Sequence, residues 1–94
     1  MNGEVQRRTI TITNPHGLHM RPLLAFVEAT QRFQAEIWVE KEGGDRVNGR
    51  SGMSLLSLGV APGSRVIIEV DGPDAAQAVE VLAEILLTIP PEDQ

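Results

Sequence analysis

The string Gly17-Leu18-His19-Met20-Arg21-Pro22 sets an imidazole two residues ahead of a guanidinium, where turn residues give way to a helical pattern. Histidine titrates near neutrality, so an unprotonated ring nitrogen is available. A neutral imidazole beside an anion site is a nucleophile toward a phosphoryl group. The first turn of a helix supplies such a site, because its backbone N–H groups, here around Met20 and Arg21, lack intrahelical acceptors. Arg21 adds a permanent charge and a planar donor fork that suits phosphate oxygens. Pro22 belongs in a first turn, where a missing N–H costs nothing. From these residues alone His19 has two readings: a phosphoryl-accepting nucleophile, or a polar residue that caps the helix or faces solvent. A metal site on His16 and His19 lacks nearby cysteine and a clear third ligand, so no metal is expected. His16 is read as a loop residue that takes no phosphoryl group.

The elements that would hold this segment follow from hydrophobic period. Residues 5–13 alternate Ile10 and Ile12 with threonines, a strand pattern broken by Asn14-Pro15-His16-Gly17. A helix is expected over 20–32, with Leu23, Phe26, Val27, Thr30 and Phe33 as its buried stripe. Ala35, Ile37 and Val39 alternate with Glu36, Trp38 and Glu40 in a second strand, and Gly43-Gly44 turns into a third over 45–49. Ser51 opens a short helix to Ser57 that Gly59 and Pro62 stop. A fourth strand spans 64–71, and a last helix runs over 73–87 with Ala75, Ala76, Val79, Leu82, Ala83 and Leu86 inward. The order βαββαβα predicts an α+β fold, with helices on one face of a mainly antiparallel sheet. The open face would carry Thr9, Thr11, Trp38 and Ile67, with Trp38 packing across strands beside Ile67.

At 94 residues the chain is one domain, ordered over about 5–88 with frayed termini. An apolar fraction of 41% with 22% charged residues describes an ordinary globular domain. Eight Lys+Arg against thirteen Asp+Glu leave a net charge of −5, the wrong sign for a nucleic-acid binder. Seven of the eight cations are Arg, and Lys41 is the exception. Without cysteine, disulfides and thiolate chemistry are excluded. Apolar runs of four to five residues are far too short to cross a bilayer, so no membrane insertion is expected. Met1-Asn2-Gly3-Glu4 shows no apolar signal region, and the expected location is the cytoplasm. A small hydrolase would need a nucleophile, base and acid gathered in a pocket, and no such set is visible.

Asn14-Pro15-His16-Gly17-Leu18-His19-Met20-Arg21-Pro22, with Val47-Asn48-Gly49-Arg50-Ser51 and Ser57-Leu58-Gly59-Val60, closely resembles HPr. That family comprises the histidine-containing phosphocarriers of the bacterial phosphoenolpyruvate-dependent phosphotransferase system. The likeness runs from about Val5 to Leu87. It implies an open-faced β-sandwich: a four-stranded sheet with three helices on one side. It implies that His19 receives a phosphoryl group on Nδ1 from enzyme I and passes it to EIIA domains, with Arg21 steadying the phosphoryl oxygens. Such a chain is not an enzyme but a shuttled intermediate. The resemblance implies no cofactor, and a monomer is expected.

The resemblance also makes Ser51 a regulatory serine, the target of HPr kinase/phosphorylase in many bacteria, with a transcriptional regulator as a further partner. Placed before a helix, Ser51 has a second reading as a plain N-cap. Gly52 departs from the bulky apolar residue usual there. Met20, Leu24, Met53 and Leu56 would form an exposed apolar docking patch, with Arg50 and Arg21 as its cations. Ordinary core packing is the competing reading, most of all for Leu56. Glu28 and Gln31 stand where the family frequently has cations. The alternatives are a paralogue serving the nitrogen-related regulatory branch, or a binding module that transfers nothing. A repressor cofactor that has lost transfer is disfavoured, because such relatives lack the histidine kept here at position 19.

Overall fold

The computed structural model describes residues 4–13, 17 and 20–87. Seven elements follow one another: β1 (Glu4–Thr11), α1 (Met20–Thr30), β2 (Glu36–Lys41), β3 (Arg46–Asn48), α2 (Gly52–Ser57), β4 (Arg65–Gly72) and α3 (Ala75–Leu87). The strands form one sheet in the order β1-β4-β2-β3, and every pairing is antiparallel. Strands are thus drawn together from opposite ends of the chain, with β4 between β1 and β2.

Period-2 alternation decides which face is covered. Ile10, Ile37, Val39, Val66, Ile68 and Val70 are buried against the helices, while Arg7, Thr9, Thr11 and Arg65 on the other face are exposed. Leu23, Phe26 and Ala29 of α1 and Ala75, Ala78, Val79, Leu82, Ala83 and Leu86 of α3 complete the core. The face expected for α3 holds except at Ala76, which is exposed, while Ala78, left off it, is buried. The helix begins at Ala75 rather than at residue 73, and Asp74 stands just before it, its backbone carbonyl accepting the Ala78 N–H at 2.9 Å. Its two carboxylate oxygens accept the N–H groups of Gln34 and Ala35 at 2.9 and 3.1 Å, tying the entry to β2 to the start of α3. No helix among the described residues is long and apolar enough to cross a membrane.

The open face is organised around Glu69. Arg46 reaches it bidentately at 3.2 and 3.1 Å, and Arg7 adds a third contact at 3.1 Å. The Arg46 guanidinium crosses the Trp38 ring, 5.0 Å from its centroid, a cation–π arrangement. Trp38 lies directly opposite Glu69 and Asn48, with Ile67 only diagonal to it, so its partner is an arginine rather than the expected isoleucine. This cluster takes one residue from each of the four strands. The hydrogen bonds from Arg46 hold the Glu69 carboxyl below its usual value; partial burial opposes them, and the charges of Arg46 and Arg7 reinforce them.

Candidate functional site

The segment before α1 is anchored at Gly17. Its φ is +67°, and a Cβ there would lie 2.3 Å from the Val60 carbonyl oxygen. Only glycine fits so close to that backbone in that conformation. The contact joins the Gly17 loop to the turn that follows α2, two of the stretches singled out in the sequence. His19 and His16 lie outside the described residues. The chain enters α1 at Met20, immediately after His19, and Arg21 stands exposed in the first turn beside the buried Pro22. The first turn of α1 contains no acidic residue to compete with an anion for its N–H groups.

Ser51 caps α2. Its backbone is extended (φ −103°, ψ 111°), and its Oγ accepts the Ser54 N–H at 3.2 Å. The Asn48 side chain accepts the Arg50 N–H at 2.9 Å, shaping the turn that delivers Ser51.

Arg50, expected beside the docking patch, is turned to another task. Its guanidinium donates to the carbonyls of Thr30, Phe33 and Ala35 at 2.6, 2.8 and 2.6 Å. These carbonyls lie at and just beyond the end of α1, whose last turn holds no basic residue of its own. Arg50 therefore supplies in space the cation that a helix C-terminus favours. Sequence spacing gave no sign of this, since the contacts span 15 to 20 residues. The one available signal was the lack of a cation in the last turn of α1.

The apolar residues expected at the surface are there. Met53 is 84% exposed, Leu24 58% and Leu56 45%. With Val27 and Gly52 they line a groove between α1 and α2. Val27, assigned to the buried stripe, is only partly buried and serves both groove and core. The Met20 side chain lies outside what is described.

An open antiparallel sheet with its helices on one face, and a helix that opens on a His-x-Arg-Pro string, define a small phosphocarrier domain. The family model that matches is PTS-HPr, described as the PTS HPr component phosphorylation site, over residues 6–87. The chain belongs to this family of phosphotransferase-system phosphocarriers. It is 38% identical over 80 residues to the phosphocarrier protein HPr of Neisseria meningitidis, covering 85% of this chain and 89% of that protein. It is 40% identical over 67 residues to the HPr-like protein Crh of Bacillus subtilis, covering 71% and 78%. Among solved structures it is similar to HPr of Thermoanaerobacter tengcongensis, with a TM-score of 0.81, 37% identity and coverage of 88% and 92%.

Proposed function

We propose that this chain carries a phosphoryl group on His19, taken from enzyme I charged by phosphoenolpyruvate and delivered to EIIA domains. The observation that carries the reading is the family match, a phosphorylation-site model that runs through His19, Arg21 and Pro22. In each transfer a bond forms between phosphorus and Nδ1 of His19 as the bond to the donor breaks, and the next acceptor reverses this. Arg21 and the N–H groups at the start of α1 stabilise the charge on the phosphoryl oxygens during transfer. The chain turns nothing over and acts in the cytoplasm as a monomer.

Ser51 is proposed as a second, regulatory acceptor, for HPr kinase/phosphorylase. The likeness to Crh as well as to HPr fits a chain that also answers to a regulator. A phosphate there would meet the N–H that Ser51 already caps and would stand beside the docking groove.

The test is intact mass after incubation with phosphoenolpyruvate and enzyme I of the same source, run under native conditions so that oligomeric state is read together with labelling. One phosphoryl group, lost in mild acid, stable in base and absent from His19→Ala, is expected on a monomer. Addition of kinase and ATP should add a second group, absent from Ser51→Ala. Labelling that survives in His19→Ala would remove the assignment. Absence of labelling, with an enzyme I active on another HPr, would point to the nitrogen-related branch or to a module that transfers nothing.

A further inference from the structure

The groove between α1 and α2 continues along α1 into a depression of different character. The first part is lined by Leu24, Val27, Gly52, Met53 and Leu56; the second shares Leu24 and Val27 and ends at Glu28 and Gln31. Leu24 and Glu28 are one helical turn apart and both exposed, so an apolar and a charged contact are offered side by side. Helix α2, Gly52-Met53-Ser54-Leu55-Leu56-Ser57, contributes no charge.

Among the described residues the Glu28 carboxylate forms no ion pair, whereas Glu42, Glu69 and Glu80 each hold an arginine. Arg32, four residues on, lies past the end of α1 at Thr30 and forms no ion pair with it. Arg50 is directed onto the three carbonyls at and just beyond the end of α1. Of the residues that line the groove and its continuation, Glu28 is the one that carries a charge.

An unpaired carboxylate at the margin of an exposed apolar patch discriminates by charge, because a like charge opposite it is repelled and an opposite one is drawn in. The net charge of −5 acts in the same direction at long range. The chain's own Glu92-Asp93 has the wrong sign for Glu28, and a second copy brings a net charge of the same sign.

We propose that this groove docks a partner protein through an apolar side chain seated among Leu24, Val27, Met53 and Leu56 and a Lys or Arg paired with Glu28. Glu28 is then the residue that selects among partners. The inference rests on the phosphocarrier reading above and specifies the face of enzyme I that this chain meets.

Its test is the rate of phosphoryl transfer from charged enzyme I of the same source, against carrier concentration, for the wild type, Glu28→Gln and Glu28→Lys at low and high salt. For Glu28→Lys, KM should rise about tenfold or more at low salt. The rate at saturation should hold, with Glu28→Gln between the two. Added salt should raise KM for the wild type and narrow the gap. An unchanged or lower KM for Glu28→Lys would mean that the partner's face is neutral or acidic, and would overturn the inference alone. A wild type that self-associates, with Glu28→Lys dispersing it, would give the groove to a second copy and overturn it also. A wild type that accepts no phosphoryl group overturns the carrier reading together with the inference.

Discussion

The two outward surfaces of this molecule are built on opposite terms. On the open face of the sheet, Arg7 and Arg46 both pair with Glu69, and Arg46 also lies over Trp38, so each charge at its centre has a partner within the chain. On the helical side, Leu24, Met53 and Leu56 are exposed and, among the described residues, Glu28 holds no cation. Internally matched groups have little left to offer a partner. Unmatched apolar and charged groups are an expense to the monomer that an interface would recover. The comparison assigns stability to the first surface and recognition to the second. Arg50 belongs with the first although it lies beside the second, because its donors are already committed.

The substitution with the largest expected effect is therefore Arg50→Ala. It strips three carbonyls at and beyond the end of α1 of their donor, and unfolding in urea should show a loss of about 2–3 kcal/mol. Arg50→Lys should recover only part, since one ammonium cannot reproduce the planar fork. An Arg50→Ala chain that is fully stable but poorly charged by enzyme I would return Arg50 to the docking patch.

Next comes Glu69→Gln, which should cost about 1 kcal/mol at neutral pH. Because the folded carboxyl titrates below its unfolded value, its contribution is complete above the unfolded value and is lost as pH falls through the folded one. The stability gap between wild type and Glu69→Gln should accordingly close in acid. A gap independent of pH would show that charge is not what Glu69 contributes.

The smallest effect on stability is expected for Met53→Ser, within about 0.5 kcal/mol, since an 84% exposed side chain loses little on replacement. Its consequence should fall on partner affinity instead, as a raised KM for transfer with an unchanged melting temperature. A marked drop in melting temperature would place Met53 in the core and erase the contrast between the two surfaces.

Much of the fold was legible because the elements are separated by strong breakers and carry clear periods. Ile37 and Val39 alternate with polar residues, and Leu23 and Phe26 recur at helical spacing. The ends of elements were less legible. The expected strand over 5–13 stops at Thr11, because Ile12 leaves the ladder to bond with the 63–64 turn, its N–H to the Ser64 carbonyl and its carbonyl to the Gly63 N–H. The last helix starts at Ala75 rather than at residue 73, with Asp74 before it bonding the Ala78 N–H through its carbonyl and the Gln34 and Ala35 N–H groups through its carboxylate. For the site, the Gly17–Pro22 string suggested its proposed chemistry directly, because a histidine, a cation and a helix start are all local features. The exposure of Leu24 followed from its place off the buried stripe of α1.

By itself the sequence determined the element order and the inward faces of β1, β2 and β4, and it singled out the string proposed to accept the phosphoryl group, since all three depend on residues close together in the chain. Only the tertiary structure decided what each arginine does. Arg46 and Arg7 meet Glu69 across strands, and Arg50 meets carbonyls 15 to 20 residues away. A guanidinium on a long side chain takes whatever acceptor the fold brings near, and that choice is a property of the assembled packing. The same holds for Gly17: its turn was readable from neighbouring residues, but the Val60 carbonyl that forbids a side chain there arrives from another part of the chain.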